Sequence, residues 1–501
     1  MLEPQHIQAL KYSLDNLIRR SPTTARILEV ASQEGFRLYL VGGFIRDALL
    51  GLSSNDLDFV TLQAFEFATS LGKSGIRPVQ VDKRYGTMRL IPETGSQRQA
   101  EAIKVELTPL RGACIEDDLR RRDFTTNALA VDLLAWRTCS RLELVDPLGG
   151  LADLQARRLR TCTGRSLADD PLRILCAYRL ASIRNFTLES STKALLAELK
   201  HRLAHVAVER LRDELLRILS DRFSARTVRM LDADNVLLVL LPECEPMRGL
   251  RQGDFHDQDV WGHSLSALEA LEFFLDSPKQ VLGSYAGEAP GVLAQEIAGE
   301  RTRESVLKLA VLIHDIGKPA CRSVDGKGGC HFHGHEVAGA QLAAALCSRL
   351  RFSNREIDFI STLVRNHMRP VHLFHLQSPS RRALSRFFRL GPELFWPLLL
   401  LFAADYRATR GPRSPGGDIE PLRRRLSGWL EFYYQELRPK QTQRSLVNGH
   451  DLMSHLHLSP GPLLGRLLDA LAELQWEGRI NSREEALRQA TRLLHQWRRG
   501  S

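Results

Sequence analysis

Two aspartates separated by one residue, Asp56 and Asp58, are the side chains best suited to chemistry in this 501-residue sequence. Apolar residues follow them, which is typical of a strand, and residues two apart on a strand point to the same face. Both carboxylates can therefore meet one site. Carboxylate oxygens are hard ligands for Mg²⁺, and such ions align a triphosphate with an attacking hydroxyl. Two carboxylates at this spacing have the donor chemistry that a two-metal nucleotidyl transfer needs.

A pair of glycines lies just upstream of these acids. Gly42 and Gly43 allow a backbone turn to come close to a polyphosphate, and the residues after them, including Arg46 and Asp47, predict a helix. The N-terminal amides and positive dipole end of that helix would face the anion. A glycine pair alone is usually a turn, and an Asp-x-Asp alone is usually a solvated loop. Together, in the order strand, turn, helix and strand, they favour the catalytic interpretation.

Composition limits the class of protein. The chain carries 69 Lys and Arg against 59 Asp and Glu, a net charge of +10 that modestly favours a polyanionic partner. Its 8 cysteines lack paired CxxC spacing, which predicts reduced thiols in a cytoplasm and excludes a disulfide framework. The N-terminus does not read as a secretory signal, and the longest apolar runs, 236–242 and 395–404, are too short for a bilayer. We expect a cytoplasmic protein of several domains without a membrane partner.

The segment Leu40–Thr61 resembles the nucleotidyltransferase superfamily, in particular the class II tRNA nucleotidyltransferases and bacterial poly(A) polymerases. That resemblance implies Mg²⁺-dependent, template-independent addition of CCA to the 3′ end of tRNA from CTP and ATP. It makes Asp56 and Asp58 the catalytic metal ligands. It also implies a third acid at Glu106, on the alternating segment 103–107, as a ligand or base. A solvated strand glutamate is the alternative there.

Two further motifs carry the same resemblance. Residues 117–128 match the family's DLxRRDFTxNA motif, and residues 166–173 match its EDxxR helix, which reads the incoming base in the family. A surface helix capped by an aspartate is the alternative for the second motif. Cys176 stands where the family commonly has Arg. The nucleotide-binding residues implied by the resemblance are Gly42, Gly43, Arg46, Asp47, Arg122, Asp123, Asn127, Asp170, Arg173 and Arg179.

One departure puts the number of added nucleotides in question. Only four residues separate Arg111 from Glu116, whereas many CCA-adding enzymes carry a longer flexible loop there. Enzymes that add only two cytidines are known for a shortened loop, so CC addition is an alternative. A poly(A) polymerase is a further alternative, although the segment 85–90 lacks the GRRF-type sequence of that branch.

Histidines concentrate in a second part of the chain. An adjacent His314-Asp315 ends an apolar stretch, and other His and Asp residues lie on separate helical segments. A lone histidine on an apolar face is usually a core residue, but this set resembles the HD phosphohydrolase domain. Imidazole and carboxylate together suit Mn, Fe, Ni or Mg. The resemblance implies a core ligand set and a second-metal pair: His263, His314, Asp315 and Asp405, then His335 and His367.

His256 fits a structural role better than a ligand role. An HD-domain nucleotide sensor or phosphodiesterase, whose head only binds RNA or nucleotide, is the alternative function from a different class.

We expect an α+β protein: a small polymerase-beta-like head with a mixed sheet, a mostly helical neck and body, and an all-α HD domain. Within the HD domain, residues 277–302 predict an inserted loop, and residues 410–417 predict a flexible segment. The oligomeric state stays open. The predicted segments are an N-terminal helical extension (1–34), the head (35–155), a neck for RNA and base recognition (156–250), the HD domain (251–410) and a helical tail (411–501).

Overall fold

The computed structural model describes residues 4–83, 85–92, 103–139, 142–253, 256–299, 301–326, 329–411, 418–441, 445–476 and 478–499. Most of the predicted flexible segment 410–417 lies outside these ranges. The chain divides into two compact units, Met1–Glu214 and Leu215–Ser501. The finer five-segment division stays a prediction.

The first unit holds a mixed sheet with helices around it. Its strands are β1 (Tyr39–Val41), β2 (Asp56–Thr61), β3 (Ile76–Asp82), β4 (Thr87–Pro92), β5 (Lys104–Pro109), β6 (Ala130–Asp132), β7 (Leu144–Val145), β8 (Arg158–Leu159) and β9 (Thr187–Leu188). Its helices are α1 (Pro4–Arg20), α2 (Pro22–Glu34), α3 (Gly43–Leu49), α4 (Ala64–Lys73), α5 (Ile115–Arg120), α6 (Leu133–Cys139), α7 (Gly150–Gln155), α8 (Ser166–Asp169), α9 (Arg173–Ile183), α10 (Ser190–Leu199) and α11 (Val208–Leu219), which runs across the unit boundary.

Seven strands form one sheet in the order β3-β4-β5-β2-β1-β6-β7. The pair β2 and β5 is parallel, and β1 is antiparallel to both of its neighbours β2 and β6. This confirms the predicted mixed sheet. The arrangement places β2, which carries the aspartates, between the strand that enters the glycine turn and the strand that carries Glu106.

Apolar side chains from both the sheet and the N-terminal helices build the core of this unit. Leu10, Leu14 and Leu17 are buried in the same cluster as Leu40 and Phe59. The predicted helix over residues 1–34 is in fact two helices, because Pro22 opens a new first turn and the Ser21 hydroxyl accepts from the Thr24 amide.

The second unit is almost entirely helical. Its helices are α12 (Ser224–Ala233), α13 (Leu237–Leu240), α14 (Val260–Asp276), α15 (Lys279–Leu282), α16 (Ala289–Leu293), α17 (Arg303–Leu312), α18 (His335–Arg349), α19 (Asn354–Asn366), α20 (Met368–His375), α21 (Arg381–Phe388), α22 (Pro392–Ala408), α23 (Glu420–Phe432), α24 (Arg438–Gln441), α25 (Gly449–Leu456), α26 (Pro462–Trp476) and α27 (Arg483–Arg499). Two small ribbons complete it, β10 (Glu296–Ala298) with β11 (Arg301–Thr302), and β12 (Ser323–Val324) with β13 (Cys330–His331).

The stretch 277–302 is not the loop that its Gly, Pro and Ser content predicted. It contains α15, α16 and the ribbon of β10 and β11, and Val281, Leu282 and Leu293 are buried. Helices of four or five residues are too short to show a hydrophobic period, so composition dominated the prediction.

Among the described helices, none is by itself long and apolar enough to cross a membrane. The pair α21 and α22 meets that test by length and composition when taken together, with a bend of 110° between them.

Candidate functional site

Three carboxylates gather in the middle of the large sheet. Asp58 and Glu106 are register partners on the parallel strands β2 and β5, and Asp56 lies two residues before Asp58. Burial raises the pKa of Asp58, the Arg122 guanidinium lowers it, and the charges of Glu106 and Asp56 raise it further. This repulsion is expected, because Glu106 is the register partner of Asp58 and Asp56 shares its strand face. The structure thus brings together the three residues that the sequence nominated.

Glu106 also has cationic neighbours. Its Oε1 lies 3.3 Å from Arg89 Nη2 and 3.1 Å from Lys104 Nζ. These cations offset part of the negative charge of the cluster. A divalent cation is the natural complement to the rest, since clustered carboxylate oxygens are the donor set that Mg²⁺ prefers.

The glycine turn lies directly against this cluster. Gly42 has φ +80°, and a Cβ placed on it would lie 3.3 Å from Asp58 Oδ2 and 3.4 Å from Arg122 Nη1. The turn therefore brings the backbone, the Asp58 carboxylate and the Arg122 guanidinium to one point. This is the arrangement that the predicted triphosphate site requires. Arg122 is anchored there because its Nε donates to Asp118 Oδ2 over 3.0 Å. Asp118 is fully buried and also accepts from the Arg111 side chain at 3.2 Å.

The structure engages the Arg46 and Asp47 side chains with each other. Arg46 donates Nε to Asp47 Oδ1 at 2.9 Å and Nη2 to Asp47 Oδ2 at 3.0 Å. Arg184 makes the equivalent pair of bonds to the same two oxygens, both at 3.0 Å. This geometry favours a supporting role for both predicted residues over direct contact with nucleotide. Sequence reasoning missed Arg184, because a buried aspartate indicates that a cation is needed but not which one.

Asn127 and Asp123 continue this network towards the glycine turn. Arg46 Nη1 donates to Asn127 Oδ1 at 2.6 Å, and Asn127 Nδ2 donates to both oxygens of Asp123 at 3.1 and 3.2 Å. The backbone of Asn127 lies 4.0 Å from the Cβ position of Gly42. Asn127 therefore lies beside the glycine turn, and Asp123 is bonded to it.

The predicted EDxxR helix is interrupted in the structure. Asp170 is extended, with φ −145° and ψ 96°, and lies between α8 and α9. Its carboxylate is held side-on by Arg210, with Nη1 to Oδ1 at 3.2 Å and Nη2 to Oδ2 at 2.8 Å. Sequence reasoning missed this pairing of Arg210 across elements.

Arg173 and Arg179 follow Asp170 on α9 but have different surroundings. Arg173 donates to the carbonyl oxygens of Ser166 at 2.9 Å and Arg121 at 3.3 Å. Arg179 donates Nε to the buried Glu214 at 2.6 Å. Burial and the Glu214 charge raise the pKa of the Cys176 thiol beside them. Arg179 therefore has a structural partner that the sequence did not identify.

Among the described residues of the second unit, two groups of side chains could hold a metal ion. The first is His263, His314 and Asp405, and the second is Asp315, His335 and His367; the donor atoms within each group all lie within 4.8 Å of one another. Asp315 connects the groups, because its Oδ2 lies 3.2 Å from His314 Nε2 and its Oδ1 lies 3.4 Å from His335 Nε2. All six predicted ligands come together.

The histidine tautomers favour ligation. The Nδ1 atoms of His314, His335 and His367 lie 2.8, 2.8 and 2.6 Å from backbone carbonyl oxygens, so each Nδ1 carries the proton and each Nε2 is left to bind a cation. His314 Nε2 is buried and makes no hydrogen bond. Burial lowers the pKa of His367 to about 3, so its ring is neutral at physiological pH. This donor set fits a divalent transition metal.

The local sequence explains how this group is held. Gly317 lies so close to α18 that a Cβ on it would be 2.1 Å from the carbonyl oxygen of His335. A glycine is therefore required two residues after Asp315 for the His335 helix to approach. Lys318 Nζ lies 2.6 Å from Asp315 Oδ2 and donates to Gln252. His256 packs edge-on against His263, with ring centroids 4.7 Å apart, outside both ligand groups.

Four family models match successive parts of the chain. They are the "Poly A polymerase head domain" over residues 38–160, the "Probable RNA and SrmB- binding site of polymerase A" over 185–247, the "HD domain" over 280–387, and the tRNA nucleotidyltransferase domain 2 over 428–491. The first covers the carboxylate cluster, and the third covers His314, Asp315, His335 and His367.

Proteins similar in sequence to this chain include tRNA nucleotidyltransferases. The chain is 33% identical to an A-adding tRNA nucleotidyltransferase of Deinococcus radiodurans, over 89% of this chain and 93% of that protein. It is 32% identical to a CC-adding tRNA nucleotidyltransferase of Thermus thermophilus, over 89% and 91%. A CCA-adding enzyme solved with CTP shares the fold, with TM-score 0.60 and 20% identity over 97% of this chain and 98% of the other. Other structures with this fold contain tRNA or ATP.

Proposed function

Since the chain belongs to the tRNA nucleotidyltransferase family, we propose that its first unit adds cytidines from CTP to the 3′ end of tRNA. The carboxylate cluster of Asp56, Asp58 and Glu106 against the Gly42 turn is the observation that carries this proposal. Divalent metal dependence follows from the family, and Mg²⁺ is the ion that the oxygen donor set fits best.

The residues of the head have distinct parts in the transfer. Asp56 and Asp58 would hold Mg²⁺, which lowers the pKa of the attacking 3′ hydroxyl and neutralises charge on the leaving pyrophosphate. Arg122 presents a guanidinium to the triphosphate, and the N-terminal amides of α3 face the same anion. The negative charge of Glu106 beside Asp58 strengthens the binding of a cation there.

Base selection is assigned to Asp170. Its carboxylate accepts hydrogen bonds, so it can accept from the exocyclic amino group of cytosine. Arg210 holds this carboxylate in one plane. Arg173 donates to the carbonyl oxygens of Ser166 and Arg121, and these bonds fix the start of α9 next to Asp170.

Our proposal for the number of nucleotides added to tRNA rests on the connection between β5 and α5. It is a tight turn in which the Ala113 amide donates to Asp117 Oδ2 at 3.1 Å. Gly112 has φ +131°, and a Cβ there would lie 2.4 Å from the Asp117 side chain, so the turn is closely packed. The longer flexible loop of many CCA-adding enzymes has no counterpart between these elements. This favours CC addition over full CCA addition, which the motifs alone had favoured.

Nucleotide addition is tested by product length on a tRNA that lacks its 3′ end, with CTP, ATP or both. Asp58→Asn should remove all extension. Normal extension by a folded Asp58→Asn variant would overturn the proposed mechanism.

A second activity is proposed for the second unit, a metal-dependent phosphohydrolase at the HD site. The two ligand groups that share Asp315 support this proposal. Their residues would hold one or two divalent ions, which generate a hydroxide nucleophile near neutral pH. Lys318 lies at the same carboxylate and can neutralise a phosphate. Loss of phosphodiester hydrolysis in His314→Ala, with CTP addition retained, would support two independent sites.

The five-segment domain division and the cytoplasmic location remain predictions from the sequence. The described cysteines are all unpaired thiols, which agrees with a reducing compartment.

A further inference from the structure

Arg184 ends the helix that begins at the base-selecting residues. It is the C-cap of α9, and Asn185 follows with φ +52°, which turns the chain out of the helix. Its carbonyl oxygen accepts from Arg157 Nη1 at 3.2 Å. The backbone at this position is therefore fixed, and the side chain leaves the helix towards α3, where both of its bonds go to Asp47.

Asp47 is saturated by two guanidinium groups. Arg184 and Arg46 each donate one N–H to Oδ1 and one to Oδ2, at distances from 2.9 to 3.0 Å. Asp47 is 4% exposed, so water does not compete for these oxygens. Four charge-assisted bonds fix the plane of the carboxylate, and that plane in turn fixes the guanidinium of Arg46.

Arg46 transmits this constraint to Asn127 and Asp123. Its remaining terminal nitrogen, Nη1, donates to Asn127 Oδ1 at 2.6 Å. Because Oδ1 is the acceptor, Asn127 must present its NH₂ to Asp123, where it bonds at 3.1 and 3.2 Å. The orientation of both side chains therefore depends on the clamp around Asp47.

The charges of the side chains in this hydrogen-bond network also balance. Arg46 and Arg184 carry two positive charges, and Asp47 and Asp123 carry two negative charges. Removal of Arg184 would leave one negative charge uncompensated beside the turn at Gly42, where a triphosphate would bind. Both the geometry and the charge of the site therefore depend on a residue outside it.

We infer that Arg184 is a positioning residue for the ribose of the incoming nucleotide. It acts through Asp47 and Arg46 on Asn127 and Asp123, and it joins the far end of α9 to α3. This inference rests on the proposed nucleotidyl transfer. A ribose hydroxyl would meet an amide and a carboxylate whose directions are set, so the site should distinguish CTP from dCTP.

The test measures kcat and KM separately for CTP and dCTP, with the full chain and a tRNA lacking its 3′ end. Arg184→Met should raise the KM for CTP about tenfold and reduce the preference for CTP over dCTP by a similar factor. Arg184→Lys should fall between, since lysine keeps the charge but cannot bridge both oxygens of Asp47.

Arg37→Met is the matched control. Arg37 makes another arginine–aspartate pair in the same unit, with Nε to Asp132 Oδ2 at 2.7 Å, but is not bonded to the Asp47 network. The Arg37→Met variant should keep the wild-type KM for CTP and the wild-type preference for CTP over dCTP. A melting temperature for each variant identifies loss of folding; if Arg184→Met fails to fold, Arg184→Lys decides.

Unchanged KM and unchanged sugar preference in folded Arg184 variants would overturn the inference, even if they melt earlier. Failure of the wild-type protein to incorporate CTP would instead contradict the proposed transfer. The two failures are distinguished by the wild-type reaction.

Discussion

Asp58 and Glu106 lie opposite each other on two parallel neighbouring strands, β2 and β5. This relationship places a third carboxylate beside the Asp-x-Asp pair without any contribution from loops. Because strands in a sheet are held by a ladder of backbone bonds, the distance between these acids is set by the fold. Metal binding and catalysis should therefore depend on the three acids to different degrees.

Substitution of each acid by its amide should give a graded loss of CTP addition. We expect Asp58→Asn and Asp56→Asn to lower kcat/KM by roughly 1,000-fold or more, since each removes a metal-binding charge. Glu106→Gln should cost roughly 10-fold, because its charge is shared with Arg89 and Lys104. Single-turnover extension of tRNA measures all three. Equal losses at Glu106 and Asp58 would make Glu106 a full ligand.

The raised pKa of Asp58 predicts a trade-off between stability and activity. Burial raises the folded-state pKa above the unfolded value, so the contribution of Asp58 to stability is greatest below the unfolded pKa of about 4 and is lost as pH rises through the folded pKa. At pH 7 without metal, Asp58→Asn should therefore raise the melting temperature of the head by about 2–4 °C. The gain should shrink as the pH is lowered towards 4.

The exposed Asp56 provides the control for this effect. Asp56→Asn should change the melting temperature by less than about 1 °C under the same conditions. Mg²⁺ should then stabilise the wild-type protein more than either variant. A lower melting temperature for Asp58→Asn at pH 7 would contradict the proposed cost of the buried charge.

The two glycines of the turn should differ sharply in their tolerance of alanine. Gly42 combines φ +80° with Cβ distances of 3.3 and 3.4 Å to Asp58 and Arg122, so Gly42→Ala should lower CTP addition by about 100-fold or more. At Gly43 the nearest atom to a Cβ is Arg46 Nη2 at 3.5 Å, an ordinary contact. Gly43→Ala should stay within about threefold of wild type. Equal effects would show that the turn does not approach substrate at Gly42.

Arg210 should influence base selection through Asp170. Without its partner, the Asp170 carboxylate loses two hydrogen bonds that hold its plane, so Arg210→Ala should raise the KM for CTP about tenfold and increase incorporation of wrong nucleotides. Arg212, on the same helix, pairs with its neighbour Asp213. Arg212→Ala should leave nucleotide choice unchanged. Wild-type fidelity in Arg210→Ala would show that the pair is structural.

The HD site should bind two metal ions that can be removed separately. After loading with Mn²⁺ and dialysis, the wild-type protein should retain about two ions per chain, as the two ligand groups imply. His335→Ala should retain one, and Asp315→Ala should retain none, because Asp315 connects both groups. His331→Ala, an exposed histidine paired with Asp325, should retain both. Two ions in Asp315→Ala would contradict the connecting role.

Sequence spacing predicted those parts of the site that depend on a single element. Asp56 and Asp58 were placed on one strand face because the period of 2 residues fixes that relationship. The HD ligand set, in contrast, followed from the resemblance to the HD domain. Sequence spacing could not identify pairs of side chains that lie on different helices or strands. The pairing of Asp170 with Arg210 depends on how α11 packs beside the start of α9, and that of Asp47 with Arg184 depends on how the end of α9 packs beside α3. No local pattern in the sequence specifies either arrangement.

The same reasoning bears on Arg46 and on the stretch 277–302. The resemblance implies a nucleotide-binding role for Arg46, whereas the structure favours a supporting role, because its neighbour Asp47 is buried and takes two of its nitrogens. A buried carboxylate must be neutralised, and this requirement outweighs the attraction of a distant substrate. The stretch 277–302 was expected to be a loop because its helices are too short to show a period.

Extension of a labelled tRNA lacking its 3′ end, resolved to one nucleotide, tests the central claim most directly. With CTP alone the account predicts growth by two nucleotides, and added ATP should change nothing. Growth by three with both nucleotides would show that the tight turn between β5 and α5 suffices for full CCA addition. No growth with CTP in any combination would contradict the proposed transfer itself.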